Sequence, residues 1–145
     1  MLDLSAVEFP VSPSPDAAPF WEGLQHDELR LPQCRSCGRH VWYPRALCPH
    51  CGSVDVGWVA HEGRGVVHAF CIQHQTAMAH LRPLTPFVTA LVELGPDVRM
   101  MGLLLDVEPS PDAVRCGARV RVTTVPTAGD RRIAVFVPDP APMGA

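Results

Sequence analysis

Between residues 66 and 137 the chain reads as a series of short strands separated by turn residues. Over 87–94, Val88, Ala90, Val92 and Leu94 share one parity, which predicts a strand with one buried face. Over 118–125, Val120 and Val122 point in while Arg119 and Arg121 point out. Residues 66–72 are apolar on both parities, so this strand is expected to be covered on both sides. Leu94-Gly95-Pro96-Asp97 predicts a tight turn into a strand over 98–107, and 132–137 supplies the last strand. Five strands with no helical period between them predict a small Greek-key barrel. Periodicity alone does not separate the OB type from other small barrels.

The first half carries a different pattern. Residues 1–15, with Pro10, Pro13 and Pro15, predict an extended arm, either mobile or laid on a partner. From residue 16 a short helix is expected, with Asp16 as its cap, Pro19 in its first turn, and Phe20, Trp21 and Leu24 on one face. So short a helix needs a surface on which to bury that stripe, and either the chain's own core or a partner would serve. Leu29 and Leu31 lead in as a strand. Val41-Trp42-Tyr43-Pro44 predicts a β-rich turn and strand, with Trp42 and Tyr43 as further candidate partner contacts, and 53–62 carries Val54, Val56, Trp58 and Val59 toward Gly63-Arg64-Gly65. The expected organisation is an arm (1–15), a helix and lead-in strand (16–33), a ribbon (34–62), a barrel (63–137) and a proline-rich tail (138–145).

The ribbon is defined by its cysteines. Cys34-Arg-Ser-Cys37-Gly38 and Cys48-Pro-His-Cys51-Gly52 are two Cys-x-x-Cys turns, each followed by glycine. Each turn directs two sulfurs at one point, and a short connector folds one turn back on the other, giving four thiolates at tetrahedral corners. The donor set suits zinc ahead of iron. Four thiolates leave no open position, so the ion's role is structural. Two disulfides or a single redox pair fit less well, because a redox pair would not be duplicated with matching glycines. His40 and His50 read as polar neighbours of a complete ligand set. Arg35, Arg39 and Arg45 are expected to offset the excess negative charge of the thiolates.

Composition narrows the function classes. The 145 residues have a net charge of −3, and all twelve basic residues are Arg. Residues 1–33 hold one Arg against six acids, while 63–137 hold eight Arg against six acids. That balance does not suit a protein that lives on nucleic acid. No apolar run is long enough to cross a membrane and no signal pattern opens the chain, so a cytoplasmic location with reduced thiols is expected. A single-strand nucleic-acid binder is the rival reading, since ribbons and OB barrels both serve there. The barrel, however, offers only Phe70, Phe87 and Phe136 for stacking. Catalysis by the chain alone is not expected. Cys71 and His74 would face opposite sides of a strand, Cys71 is expected to fill the core, and Cys116 falls in a turn. No nucleophile elbow or phosphate-cradling glycine loop appears.

In block order the chain resembles the zinc-ribbon/OB-fold accessory proteins of acyl-CoA enzymes, first catalogued as a domain of unknown function. The likeness rests on Phe20-Trp21-Glu22-Gly23-Leu24, Leu31-Pro-Gln-Cys34-Arg-Ser-Cys37-Gly38 and Tyr43-Pro44-Arg45-Ala-Leu-Cys48-Pro-His-Cys51-Gly52-Ser53. It continues through Gly63-Arg64-Gly65-Val66-Val67, Pro86-Phe87-Val88 and Val92-Glu93-Leu94, spanning about residues 16 to 137. The resemblance implies a mainly β fold: a short amino-terminal helix, a rubredoxin-like zinc ribbon with ligands Cys34, Cys37, Cys48 and Cys51, and a five-stranded carboxy-terminal OB barrel. It also implies a non-catalytic subunit of a thiolase-superfamily enzyme. Such partners include acyltransferases, thiolases and the lipid-transfer-protein-like aldolases of steroid side-chain breakdown, and two copies of each chain are expected. Some relatives carry a fused hydratase domain, for which this chain has no room, so no hydratase activity is expected. No catalytic residue carries over.

Candidate acyl-CoA contacts follow from that implication. The connector from His74 to Pro86, with His80 and Arg82, is long for a strand link, and such loops tend to carry function. Arginine suits the phosphates of coenzyme A, so Arg64 and Arg82 join His74 and His80 as residues expected near the acyl-CoA.

Overall fold

The computed structural model describes residues 2–11 and 14–140. A 3₁₀ turn (Pro15–Ala17) leads into helix α1 (Ala18–Gln25), and strands β1 (Leu29–Cys34) and β2 (Val56–His61) form an antiparallel hairpin that carries the cysteine segment. Strands β3 (Arg64–Gln73), β4 (Phe87–Glu93), β5 (Arg99–Leu104), β6 (Arg119–Pro126) and β7 (Arg132–Pro138) close a barrel in the order β3-β4-β5-β7-β6. The one parallel contact, Leu104 beside Phe136, seals it, helped by the Leu105 N–H donating to the Phe136 carbonyl at 2.8 Å. This strand order is that of an OB barrel.

The interior is filled from the strands and plugged from outside the barrel. Val67, Val92, Val120 and Phe136 are buried together with Leu24 of α1 and Leu31 of β1, each of the last two at 0 % exposure. The helix and hairpin are therefore part of the barrel's core rather than appendages to it. Gly65 permits the closest approach in the barrel. A Cβ there would lie 2.2 Å from the Glu93 carbonyl oxygen, so only glycine lets β3 cross β4 at that point.

Several expectations need correction. The β3 register shifts between Val67 and Ala69, so the inward parity passes from Val67 to Phe70 and Ile72. The bulge explains the apolar residues on both parities. The strand is buried on one face only, and Cys71 is exposed rather than in the core. Cys116 is exposed in a turn, as its sequence context indicates. Asp16 does not cap α1. The N-cap is Ala17 without a side-chain hydrogen bond, and Pro19, lacking an N–H, leaves less there to cap. The strand expected over 98–107 stops at Leu104, and Asp106 turns away with φ of 59°. Val41-Trp42-Tyr43-Pro44 forms no strand. Gln33 and His40 make an isolated bridge, after which the chain runs irregularly, with Val41 fully buried and its N–H on the Pro32 carbonyl.

The amino-terminal arm lies on the chain's own barrel. Leu4 is 2 % exposed and packs with Leu81, Phe87, Leu103, Leu105, Ile133 and Val135, while Leu2, Val7 and Phe9 pad the same outer cluster. The Ala128 N–H donates to the Val7 carbonyl at 3.0 Å, which ties the arm to the turn before β7. The expected arm residues 1, 12 and 13, and the tail beyond residue 140, lie outside the described residues.

Candidate metal centre and docking faces

The two cysteine turns have matching backbones. Gly38 N–H returns to the Cys34 carbonyl and Gly52 N–H to the Cys48 carbonyl, both at 2.9 Å, and the glycines have φ of 77° and 78°. That left-handed geometry explains why each turn ends in glycine. The Ser36 and Ser53 hydroxyls meet at 2.8 Å between the turns. The result is four sulfurs within 4.8 Å of one another, with Cys34 to Cys51 at 3.6 Å and Cys37 to Cys48 at 3.8 Å. Zinc–sulfur bonds of about 2.3 Å at tetrahedral angles separate the sulfurs by about 3.8 Å, so the donor set fits the ion. Cys34 and Cys48 are buried and Cys37 and Cys51 exposed, so the cluster faces the surface along one edge.

Protonation follows from the crowding. The N–H of Cys37 bonded to Cys34, opposed by burial and aided by the Ser36 N–H, pulls that thiol down to about 6. At Cys51 the Ser53 N–H favours the thiolate, but partial desolvation inside the cluster and the three neighbouring thiols outweigh it and push the group up to about 11. The first proton leaves easily and the last does not. A divalent ion is what stabilises the fourth thiolate beside three others.

Of the three arginines expected to compensate the sulfurs, one does so. Arg39 forks onto Asp97, Nε to Oδ2 at 3.0 Å and Nη2 to Oδ1, and its guanidinium is held protonated first by that bond and also by the Cys37 and Cys48 sulfurs. It thereby ties the ribbon to the β4–β5 turn. Arg35 instead pairs with Asp55 at 2.9 Å, an acid just beyond the cysteine segment, and Arg45 donates to the Tyr43 carbonyl at 3.3 Å. His40 Nδ1 lies 3.2 Å from the Pro32 carbonyl and His50 Nε2 3.1 Å from the His40 carbonyl, so both rings are hydrogen-bonded neighbours of the cluster.

The five aromatic and apolar candidates for partner contact separate by burial. Phe20 and Leu24 lie in the core, at 8 % and 0 % exposure, which removes them as exposed anchors. Trp21 is half-buried against Phe20, with the Arg131 guanidinium 5.7 Å from its ring centre. Trp42 is half-buried, 5.5 Å from Phe20 and 4.9 Å from Tyr43, and its Nε1 is buried without a hydrogen-bond partner among the described residues. Tyr43 remains, 52 % exposed. In the same segment Leu47 is 50 % exposed and Val54 79 %, and neither is among the candidate partner contacts. The signal was available in principle, since a segment of about twenty residues cannot bury its own apolar side chains.

The candidate acyl-CoA contacts do not converge. Arg64 opens β3, 3.5 Å from the Asp139 carboxylate, whereas His74, His80 and Arg82 follow its far end. The two groups lie at opposite ends of the ten-residue strand β3. His80 stacks edge-on against Phe9 at 5.2 Å, Arg82 lies exposed in a 3₁₀ turn (Arg82–Leu84), and His74 is exposed. Leu81 anchors this connector in the outer cluster beneath the arm.

A four-cysteine ribbon packed on an OB barrel defines the class. Family models match both parts: the rubredoxin-like zinc ribbon domain of ChsH2 over residues 21–56 and the C-terminal OB-fold domain of ChsH2 over residues 58–125. The chain belongs to this family of zinc-ribbon/OB-fold proteins, which includes those described by the DUF35 domain. It is 35 % identical over 130 residues to the 3-oxo-4,17-pregnadiene-20-carboxyl-CoA hydratase alpha subunit of Mycobacterium tuberculosis, covering 86 % of this chain and 38 % of that protein. It is 30 % identical over 120 residues to a probable enoyl-CoA hydratase alpha subunit of Thermomonospora curvata, covering 82 % of this chain and 36 % of that one. The chain thus spans a little over a third of these two curated relatives. A DUF35 domain-containing scaffold protein of Methanothermobacter thermautotrophicus is 26 % identical over 68 % of this chain and 72 % of its own. Among solved structures, a chain of the Ltp2-ChsH2(DUF35) aldolase superposes with a TM-score of 0.77 at 27 % identity, covering 88 % of this chain and 98 % of that chain. A DUF35 protein of Sulfolobus solfataricus, at 18 % identity and a TM-score of 0.59 over 87 % of each chain, shares the fold. No helix among the described residues is long and apolar enough to cross a membrane.

Proposed function

We propose that this chain is a non-catalytic scaffold subunit that docks on an enzyme acting on acyl-CoA, with a structural zinc ion held by Cys34, Cys37, Cys48 and Cys51. The partner is a thiolase-superfamily enzyme, a thiolase, acyltransferase or lipid-transfer-protein-like retro-aldolase, and the assembly holds two copies of each chain. The observation that carries this reading is a ribbon that leaves Tyr43, Leu47 and Val54 exposed in the same segment that holds four cysteines built to be fixed by an ion. Residues of this kind at the centre of an interface supply most of its energy. The likeness to the aldolase chain, nearly complete over that chain's length, supports the same partner class. On this reading the ion contributes rigidity and no chemistry, and the chain shapes the acyl-CoA passage with either Arg64 or the His74, His80 and Arg82 connector.

The test is co-expression with a thiolase-fold enzyme encoded beside this chain, followed by purification and assay of that enzyme with and without it. Stable co-purification and a gain in acyl-CoA turnover are expected. Independent migration of the two proteins with unchanged turnover, or salt-sensitive binding to single-stranded oligonucleotide instead, would overturn the reading.

A further inference from the structure

Strands β3 and β6 bring three arginines onto one outward face. Arg64 lies directly opposite Arg121 in the ladder, and Arg119 stands two residues along β6, opposite Val66. Val120 between them is 2 % exposed and faces the core, so Arg119 and Arg121 both point out and are exposed. Like charges directly opposed on an antiparallel pair, with Cβ atoms about 5 Å apart, destabilise the sheet. Asp139 pairs with Arg64, while Asp27 and Glu62 line a groove beside Arg121 together with Arg132. The Asp139 side chain is 4 % exposed and lies 3.5 Å from Arg64 Nε, and the Asp139 N–H donates to the Arg119 carbonyl at 3.0 Å. Arg119 and Arg121 make no side-chain hydrogen bond or ion pair among the described residues. Arg119 and Arg121 are thus the two guanidiniums on this strand pair without a carboxylate partner among the described residues.

We propose that this face, centred on Arg121, is an anion site for a phosphate or diphosphate group. Guanidinium forks meet phosphate oxygens two at a time, and two unpaired guanidiniums match a doubly charged phosphate. A polynucleotide fits less well. The chain's net charge of −3 provides no steering field, and OB barrels take strands of nucleic acid on the face of their second and third strands, here β4 and β5, away from this pair. An acidic protein surface spreads single carboxylates over a wider area than three adjacent forks cover. Coenzyme A carries phosphates of the required kind. The site rests on the proposed function only for that identity, and it separates Arg64 from the His74, His80 and Arg82 connector as the phosphate end.

The test is calorimetric titration of the metal-loaded full chain with inorganic pyrophosphate at low and raised salt. Saturable one-to-one binding that weakens with salt is expected, with affinity lost about tenfold in Arg121→Gln and only partly in Arg121→Lys. Arg99→Gln, another exposed arginine removed to the same net charge, should bind like the parent, and a thermal melt of each variant checks folding. Absence of saturable binding, equal losses in Arg99→Gln, an unchanged Arg119→Gln/Arg121→Gln double variant, or binding of oligonucleotide or acidic protein without pyrophosphate would each overturn the site. Competition by coenzyme A ties the site to the acyl-CoA reading, and its absence cuts that tie. A failed partner co-purification bears on the scaffold reading alone.

Discussion

The ribbon and the barrel are stable for different reasons. The barrel buries Val67, Val92, Val120 and Phe136 inside and holds its amino-terminal arm on the outside through Leu4. The ribbon buries only Cys34, Val41 and Cys48, with Val56 packed alongside, and leaves Tyr43, Leu47 and Val54 in water. A segment with so small a core depends on its ion, whereas the barrel depends on packing. On the scaffold reading proposed above, the same contrast separates roles: the packed part gives rigidity, and the ion-dependent part has apolar surface left over for a partner.

Removing the ion should produce the largest effect, because structural zinc contributes on the order of 10 kcal/mol to folding in isolated fingers. Chelation, or Cys34→Ser, is expected to abolish hydrogen-exchange protection over residues 34–55 while amides of β4 and β6 stay protected. Equal loss in both regions would erase the contrast. Next comes Leu24→Ala, which removes a fully buried side chain and should cost about 2–5 kcal/mol in denaturant unfolding. A near-zero cost would return α1 to the interface reading. Tyr43→Ala should do the reverse, changing stability by about 0.5 kcal/mol or less while weakening capture of the partner by about 1–2 kcal/mol, read by titration. The smallest effect belongs to the exposed Arg39–Asp97 fork. Its bond to Arg39 holds the Asp97 carboxyl below its ordinary value. The folded group therefore titrates lower than the unfolded one, so its contribution is complete above the usual carboxylate range and is lost as pH falls through the folded value. Asp97→Asn should lower stability at neutral pH and flatten that acid limb, and a double-mutant cycle with Arg39→Gln isolates the pair.

Most of the architecture could be read before folding because the signals were local. Two Cys-x-x-Cys-Gly turns define the ribbon without tertiary information, and alternation places four of the five barrel strands to within a residue or two, the exception being β5, which ends three residues early. What failed was set by long-range contacts. The bulge beside Val67 reverses inward parity by inserting one residue, which periodicity reads as burial on both sides, and so Cys71 was misplaced. Nothing in residues 2–9 announces that Leu4 will meet Leu103 and Val135. Phe20 and Leu24 could be assigned to a stripe, but only the packed barrel decides that the stripe faces inward. Asp55 lay outside the cysteine segment, so its pairing with Arg35 went unseen.

The most direct test measures partner affinity and bound metal on the same preparation. One zinc ion per chain is expected, with the affinity for the proposed thiolase-fold partner falling at least tenfold when the ion is chelated and returning when it is restored. A full-length chain that carries no metal after reduction, or that binds its partner equally well with and without the ion, contradicts the account.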